Sequence, residues 1–344
     1  NRCTMHEPNT SHNRPHTAII LCNLGTPDAP TPSALRRYLA EFLSDPRIVE
    51  LPRLLWWPVL HGWVLRRRPA QSAARYASIW MPEGSPLKVW TEKQAKLLQG
   101  WLGHNGYRVA VTYAMRYGNP SIPATIDRLR KQGFSRILVL PAYPQYSCTT
   151  TASVVDQVSA WNRNTRHQPE WRFINNYHAH PLYIRALAKQ VQKQWQHHDR
   201  GNLLLMSFHG TPDRTRQLGD PYAEQCHATA QLLAQQLGLS DRQYHVTFQS
   251  RFGRAKWLQP YTQATLEQLA RQGARHIDLI CPGFVADCVE TLEEIAIECR
   301  DAFLAAGGQT LHYIPCLNDD PDWIAALGAI SAQHLAGWVQ PPAQ

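Results

Sequence analysis

None of the eight cysteines belongs to a Cys-x-x-Cys pair, so local spacing offers neither a zinc ribbon nor a dithiol redox centre. Scattered thiols of this kind suit a reducing, cytoplasmic setting. Gly-x-Gly-x-x-Gly, Gly-Lys-Ser/Thr and Gly-x-Ser-x-Gly are all missing. Their absence removes the dinucleotide loop, the phosphate loop and the α/β-hydrolase nucleophile. Long apolar runs are missing too: the longest, residues 54–65, is broken by Pro58, His61 and Gly62 and is too short to cross a bilayer. Residues 1–16 are polar and His-rich, without the apolar centre of a secretory signal. Acidic residues are outnumbered, 26 against 35 Lys and Arg, for a formal charge of +9. That balance favours anionic partners: nucleic acid, a membrane surface or acidic small molecules. No nucleic-acid-binding signature accompanies it and the basic residues are scattered, except at Arg66-Arg67-Arg68, so no nucleic-acid partner is expected.

What the sequence does contain is a repeat. Val111-Thr112-Tyr113-Ala114-Met115-Arg116-Tyr117-Gly118 returns as Val246-Thr247-Phe248-Gln249-Ser250-Arg251-Phe252-Gly253, 135 residues on. Lys131-Gln132-Gly133 and the apolar run after it return from Arg271-Gln272-Gly273, 140 residues on. Gly25-Thr26-Pro27-Asp28 matches Gly210-Thr211-Pro212-Asp213, but Leu24 precedes the first and His209 the second. Self-similarity at so long a period reads as two similar lobes, and 344 residues exceed the usual size of one core. The scaffold does not require histidine at this position, since its twin has leucine, so His209 is a candidate for chemistry.

Apolar, β-rich runs alternate with amphipathic stretches, the pattern of an α/β protein with parallel sheets covered by helices. Strands are expected at 18–23, 108–114, 136–140 and 171–176, then at 202–208, 245–249, 276–281 and 311–314, four to each lobe. Pro120-Ser121 and Asp220-Pro221 read as helix starts. The lobes are drawn at 17–180 and 181–318, with 319–344 as a final helix packing back on the first lobe. In doubly wound sheets a ligand lies beyond the carboxyl ends of the strands, so the segments after Asn23, Ala114, Leu140, Phe208, Gln249 and Cys281 are expected to face a cleft.

Residues 46–97 form an insertion in the first lobe that the second does not share. From Leu54 to Leu65 it carries Trp56, Trp57 and Trp63 beside the triple arginine. Such a segment suits a membrane surface, the mouth of an apolar pocket, or a tryptophan-rich core helix. After the expected strand ending at Cys281 come Asp287, Glu290, Glu294 and Glu298, spaced three, four and four apart. On an α-helix that spacing puts four carboxylates on one face, starting at the cleft. Hard oxygen ligands and a histidine would suit a divalent cation such as ferrous iron, or a row for proton transfer.

Several sequences together resemble the ferrochelatase family, in family order from about Ile19 to Leu317. They are Ser207-Phe208-His209-Gly210-Thr211-Pro212, Gly219-Asp220-Pro221-Tyr222, Phe248-Gln249-Ser250-Arg251-Phe252-Gly253, Trp257-Leu258 and Asp287-x-x-Glu290-Thr291-Leu292-x-Glu294. Gly84-Ser85-Pro86 and Tyr143-Pro144-Gln145-Tyr146-Ser147 agree with them. The resemblance, closest to the bacterial protoporphyrin type, implies two Rossmann-like lobes and a lyase that inserts ferrous iron into protoporphyrin IX. Two protons are released in this last step of haem synthesis, from a distorted macrocycle held between the lobes. By the same resemblance His209 and Glu290 are the catalytic and metal-meeting pair, and Asp287, Glu294 and Glu298 an acidic path. Leu24, Arg116 and Tyr117 are implied across the macrocycle from His209, with Trp257 and Phe284 lining the pocket and Arg68, Tyr76 and Ser85 near the propionates. The segment from Trp56 to Leu65 matches the family's apolar lip, which implies a peripheral contact of Leu54-Leu65 with the inner face of the cytoplasmic membrane. Cys288 stands where many members have histidine. Cys148 resembles one ligand of an iron-sulfur cluster found in some members, but the other cysteines of that group are missing before Gln344, so no cluster and no resident cofactor are expected. Monomer and homodimer are both open.

Overall fold

A computed structural model describes residues 16–253 and 255–339. The His-rich start and the last five residues of the expected final segment lie outside the described residues. The eight strands are β1 (Thr17–Thr26), β2 (Ala110–Gly118), β3 (Arg136–Pro141), β4 (Glu170–Phe173), β5 (Leu203–His209), β6 (Tyr244–Gln249), β7 (His276–Ile280) and β8 (Thr310–Ile314). They form two four-stranded sheets, ordered β2-β1-β3-β4 and β6-β5-β7-β8, with every pairing parallel. The repeat is thus one topology used twice. Leu21 lies between Tyr113 and Leu140 as Met206 lies between Val246 and Ile280.

Ile19, Ile20 and Leu21 are all sealed from solvent, because helices cover both faces of the first sheet. On one face α5 (Ile122–Lys131) and α6 (Thr151–Arg163) bring Ile126, Leu129 and Val158 against Ile20 and Val139. The other face is covered by α4 (Pro86–His104), α7 (Pro181–His197) and α12 (Pro321–Leu335) through Leu98, Leu187, Val191, Trp323 and Leu327. That apolar layer continues into the second lobe through Leu204, Met206, Phe208 and Leu233 without a break. Tyr183 donates from its hydroxyl to the Pro282 carbonyl at 2.6 Å, and Gln94 donates to the carbonyls of Val285 and Asn318, both at 2.8 Å. The expected helix starts are real ones: Ser121 Oγ accepts from Ala124 N, and Asp220 Oδ1 from Tyr222 N.

Two strand ends differ from the sequence expectation in a way that matters for the site. β1 runs to Thr26 and β2 to Gly118, pairing Gly25 with Tyr117 and Thr26 with Gly118. Gly25 holds φ at +114°, and a Cβ there would lie 1.7 Å from the Tyr117 carbonyl oxygen, so only glycine allows this approach. The residues after Ala114 are therefore strand rather than a loop facing a cleft.

The insertion folds as α2 (Arg53–Val59), one π-helical turn (Leu60–Val64), α3 (Leu65–Ile79) and the start of α4, and it packs on α1 (Pro32–Leu43), which precedes it. It is amphipathic. Leu60, Val64 and Leu65 are buried against Leu35, Leu39 and Leu43 of α1, whereas Leu54, at 91% exposure, joins Leu55, Trp57 and Trp63 on the outside. Trp56 belongs to the inner side, its Nε1 donating to the Leu43 carbonyl at 2.7 Å. Core packing and an exposed apolar face thus coexist in one segment. Among the described residues no helix is long and apolar enough to cross a membrane.

Candidate active site

A cavity of about 630 Å³ opens between the two sheets, at the carboxyl ends of β1, β3, β5, β6 and β7. Leu24, near the end of β1, and Tyr143, His209, Ser250 and Phe284, which end or follow the others, line it, with Arg68 and Arg75 contributed by α3. The walls between are apolar and aromatic, including Phe42, Val49, Phe252 and Trp257. Strand order brings Leu24 and His209 to the wall from twin positions in the two lobes.

His209 is the last residue of β5. Its Nδ1 lies 2.6 Å from the Gly210 carbonyl oxygen, and a carbonyl can only accept, so Nδ1 carries a hydrogen and the lone pair of the unprotonated ring is on Nε2. Tyr222 donates to the His209 carbonyl at 2.9 Å, and Phe284 lies 6.3 Å away between ring centroids. Together these contacts fix where the lone pair is presented.

The acidic segment is not an α-helix. Residues Glu290–Cys299 form a π-helix, and its i→i+5 bonding makes residues four and five apart neighbours. Glu290, Glu294 and Glu298 still line the cavity, and Glu293, which α-helical spacing turned aside, joins them. Ser250 supports the row with backbone in the left-handed region, φ 62°. It donates to Glu294 from its amide at 2.7 Å and from its hydroxyl at 2.5 Å, and Gln249 donates to the Glu290 carbonyl at 2.8 Å. Burial pushes the Glu294 carboxyl above its ordinary range, while the hydrogen bonds from Ser250 hold it back. Burial also raises Glu293; Arg75 lowers it, and Glu298 and Glu294 raise it further.

Asp287 does not belong to the row. It precedes the π-helix and is buried, and its carboxylate accepts hydrogen bonds from Thr291, Tyr313 and Asn318. Its amide donates to Asn318 Oδ1 at 2.8 Å, so this aspartate anchors the loop that starts the helix. Arg116 and Tyr117 are also away from the cavity wall. Asp45 accepts from Arg116 Nη2 at 2.6 Å and from the Tyr117 hydroxyl at 2.7 Å, within a buried network that includes Ser153. The continued β1–β2 pairing is the reason, because it holds both residues in the strand. Ser85 is buried, accepting from Thr26 Oγ1 at 2.6 Å, and Tyr76 lies behind the wall. Burial first, then Glu290, push the Tyr76 hydroxyl well above the usual phenol range. Of the three residues expected near carboxylates of a ligand, Arg68 alone lines the cavity, with its guanidinium 4.1 Å from the Phe252 ring centroid.

Cys288 is buried, and its thiol is pushed well up by burial and then by Glu290, so it remains a neutral thiol. Cys148, held beside Asp220, has its thiol pushed up to about 12, mainly by burial. Among the described residues no three His, Cys, Asp or Glu side chains are grouped to hold a metal ion. The cavity thus combines a basic edge, an aromatic middle, an imidazole with a free lone pair, and an acidic row. That set suits a flat, apolar anion and a step in which cations and protons move.

A sequence model of the ferrochelatase family matches residues 16–335. The ferrochelatase of Polaromonas sp. is 62% identical over 337 residues, covering 96% of this chain and 92% of its own. That of Methylibium petroleiphilum is 60% identical, covering 97% and 93%. Among solved structures, SirB from Bacillus subtilis with Fe3+ aligns with a TM-score of 0.53 at 13% identity, covering 74% of this chain and 93% of that one. CbiX, the terminal enzyme of sirohaem biosynthesis in denitrifying bacteria, aligns at 0.50 and 14% identity, covering 93% and 100%. At such identities the structural likeness speaks for the fold alone, a pair of parallel sheets as in chelatases. The sequence likeness goes further: the chain belongs to the ferrochelatase family, lyases that insert iron into a porphyrin in haem synthesis.

Proposed function

We propose that the porphyrin is protoporphyrin IX, that it binds bent in the cavity between the lobes, and that ferrous iron replaces its two inner protons there. A flat macrocycle keeps its two N–H bonds in the ring plane, closed to a metal approaching from either face. Bending tilts the nitrogens out. A site that holds the bent form more tightly than the flat one lowers the barrier, with apolar contacts remote from the nitrogens offsetting the strain. Leu24, Phe252, Trp257 and Phe284 supply such contacts, and Arg68 suits a propionate at the basic edge.

The observation that carries this reading is the free Nε2 of His209 beside the acidic row. As one Fe2+ enters, two protons leave, so the charge at the centre of the macrocycle does not change. His209 Nε2 accepts the first proton, with Glu290 as its acidic partner in meeting the metal. Glu294, raised by burial, suits the brief holding of a proton, and Glu298 continues the row outward. The reaction needs no resident cofactor in this reading. The exposed face formed by Leu54, Leu55, Trp57 and Trp63, with Arg66 and Arg67 beside it, suits a peripheral contact with an anionic membrane from which an apolar substrate is drawn.

Anaerobic absorbance of the protein with protoporphyrin IX and ferrous iron tests the reading. The free-base spectrum should convert to that of haem over many turnovers, and His209→Ala should reduce kcat at least a hundredfold while the porphyrin still binds. A stoichiometric spectral shift without turnover in the unaltered protein would leave a porphyrin carrier instead.

A further inference from the structure

Among the described residues the acidic row has one ion-pair partner, Arg75, and it comes from the opposite lobe. Arg75 lies seven residues after Arg68 on α3, hence on the same face of that helix. Its Nε lies 3.6 Å from Glu293 Oε1, and its Nη2 hydrogen-bonds Glu298 Oε1. The guanidinium side chain is half exposed, whereas Glu293 is only 8% exposed and lines the cavity. The second oxygen of Glu293, Oε2, is buried with no hydrogen-bond partner. A buried acceptor in that state carries an unmet cost that a bound cation would relieve.

Two carboxylates at the outer end of a cavity, left without a counter-ion, would collect divalent cations and retain them. A guanidinium beside them is charged at every accessible pH and competes for the same oxygens. From a half-exposed position it can swing into water at small cost, because exposed ion pairs are worth little. We propose that Arg75 is a built-in competitor for the incoming metal, a positioning residue that covers Glu293 and Glu298 until a divalent ion displaces it. When the ion moves inward the guanidinium returns, so the outer carboxylates pass metal on and do not trap it. This rests on the chelatase reading of the same cavity, with the metal arriving along the row.

Metal binding without porphyrin tests it independently of turnover. The protein is titrated anaerobically with Mn2+, and the electron-paramagnetic-resonance signal of the free ion gives the bound fraction. Arg75→Gln should bind Mn2+ about tenfold more tightly, the scale expected from removing one competing charge shared by two carboxylates. Arg75→Lys should stay near the unaltered protein, and adding Glu293→Gln and Glu298→Gln to Arg75→Gln should abolish the gain. In turnover, Arg75→Gln should lower KM for Fe2+ more than it changes kcat. Unchanged or weaker Mn2+ binding in folded Arg75→Gln would overturn the proposal, as would a gain that survives loss of both glutamates. Failure of the chelatase reading would show separately, as absence of haem formation by the unaltered protein.

Discussion

Three hydrogen bonds converge on the Asp287 carboxylate, and three residues later Glu290 faces the cavity. The two acids should therefore fail in different ways. Asp287→Asn should cost about 2–3 kcal/mol, because Asn318 Nδ2 would meet a donor or lose its acceptor, yet leave haem formation per folded molecule within about threefold. Glu290→Gln should keep stability and lose turnover; denaturant midpoints and initial rates separate the cases. Asp45 gives a pH test. Burial alone would raise its carboxyl, but Ser153, Tyr117, the Arg47 amide and Arg116 outweigh it and hold the folded-state value below the ordinary 3.8. A depressed carboxylate stabilises the fold above its unfolded value and loses that stabilisation as pH falls through the folded one. Asp45→Asn should thus cost about 2–3 kcal/mol at neutral pH and visibly less near pH 3, as urea midpoints would show. The place of His209 on the cavity wall was legible in the sequence because its twin is Leu24, a control built into the chain. The place of Asp287 off the row was not legible, because helical spacing counts residues and takes no account of Asn318 or Tyr313, which are distant in sequence and claim the carboxylate first. The place of Arg116 and Tyr117 in the Asp45 network was not legible for a related reason: Gly25 lets their strand run on.

All eight strands lie within a few residues of where alternating apolar runs placed them, since parallel strands buried on both faces need such runs. The π-helix was not legible. Its sequence has an ordinary helical pattern, and its wider turn goes with contacts made by Gln249 and Ser250 from another strand. That turn admits Glu293 to the row, and the adjacent pair Glu293-Glu294 was the available signal. The insertion was readable as amphipathic but not as to which tryptophan faces which way. Replacing Leu54, Trp57 and Trp63 together by serine should weaken binding to anionic vesicles about tenfold or more, with little change in melting temperature. Trp56→Ala should do the reverse, lowering the melting temperature while vesicle binding holds, because its indole is fastened to the Leu43 carbonyl. Co-sedimentation with vesicles and thermal melts decide the assignment.

Although the repeat divides the chain into two similar halves, the largest apolar core runs through both. The lobes should unfold as one unit. Trp323, fully buried on α12 against Tyr177 and Tyr183, is the sharpest probe: Trp323→Ala should cost about 3–5 kcal/mol and speed amide exchange in β1 and β5 alike. Loss of protection in β1 alone would mean that the halves are energetically separate.

The same helix has a consequence for how the protein is made. α12 follows β8 in the chain, yet it fills the groove between α4 and α7 against the first sheet. Domains tend to fold from the amino end as the ribosome delivers them, but here the first half cannot close until Pro321–Leu335 have emerged, after the whole of the second sheet. Until then Leu98, Leu187 and Val191 border an open apolar groove on the nascent chain, and a chaperone that reads such surfaces has its longest opportunity there.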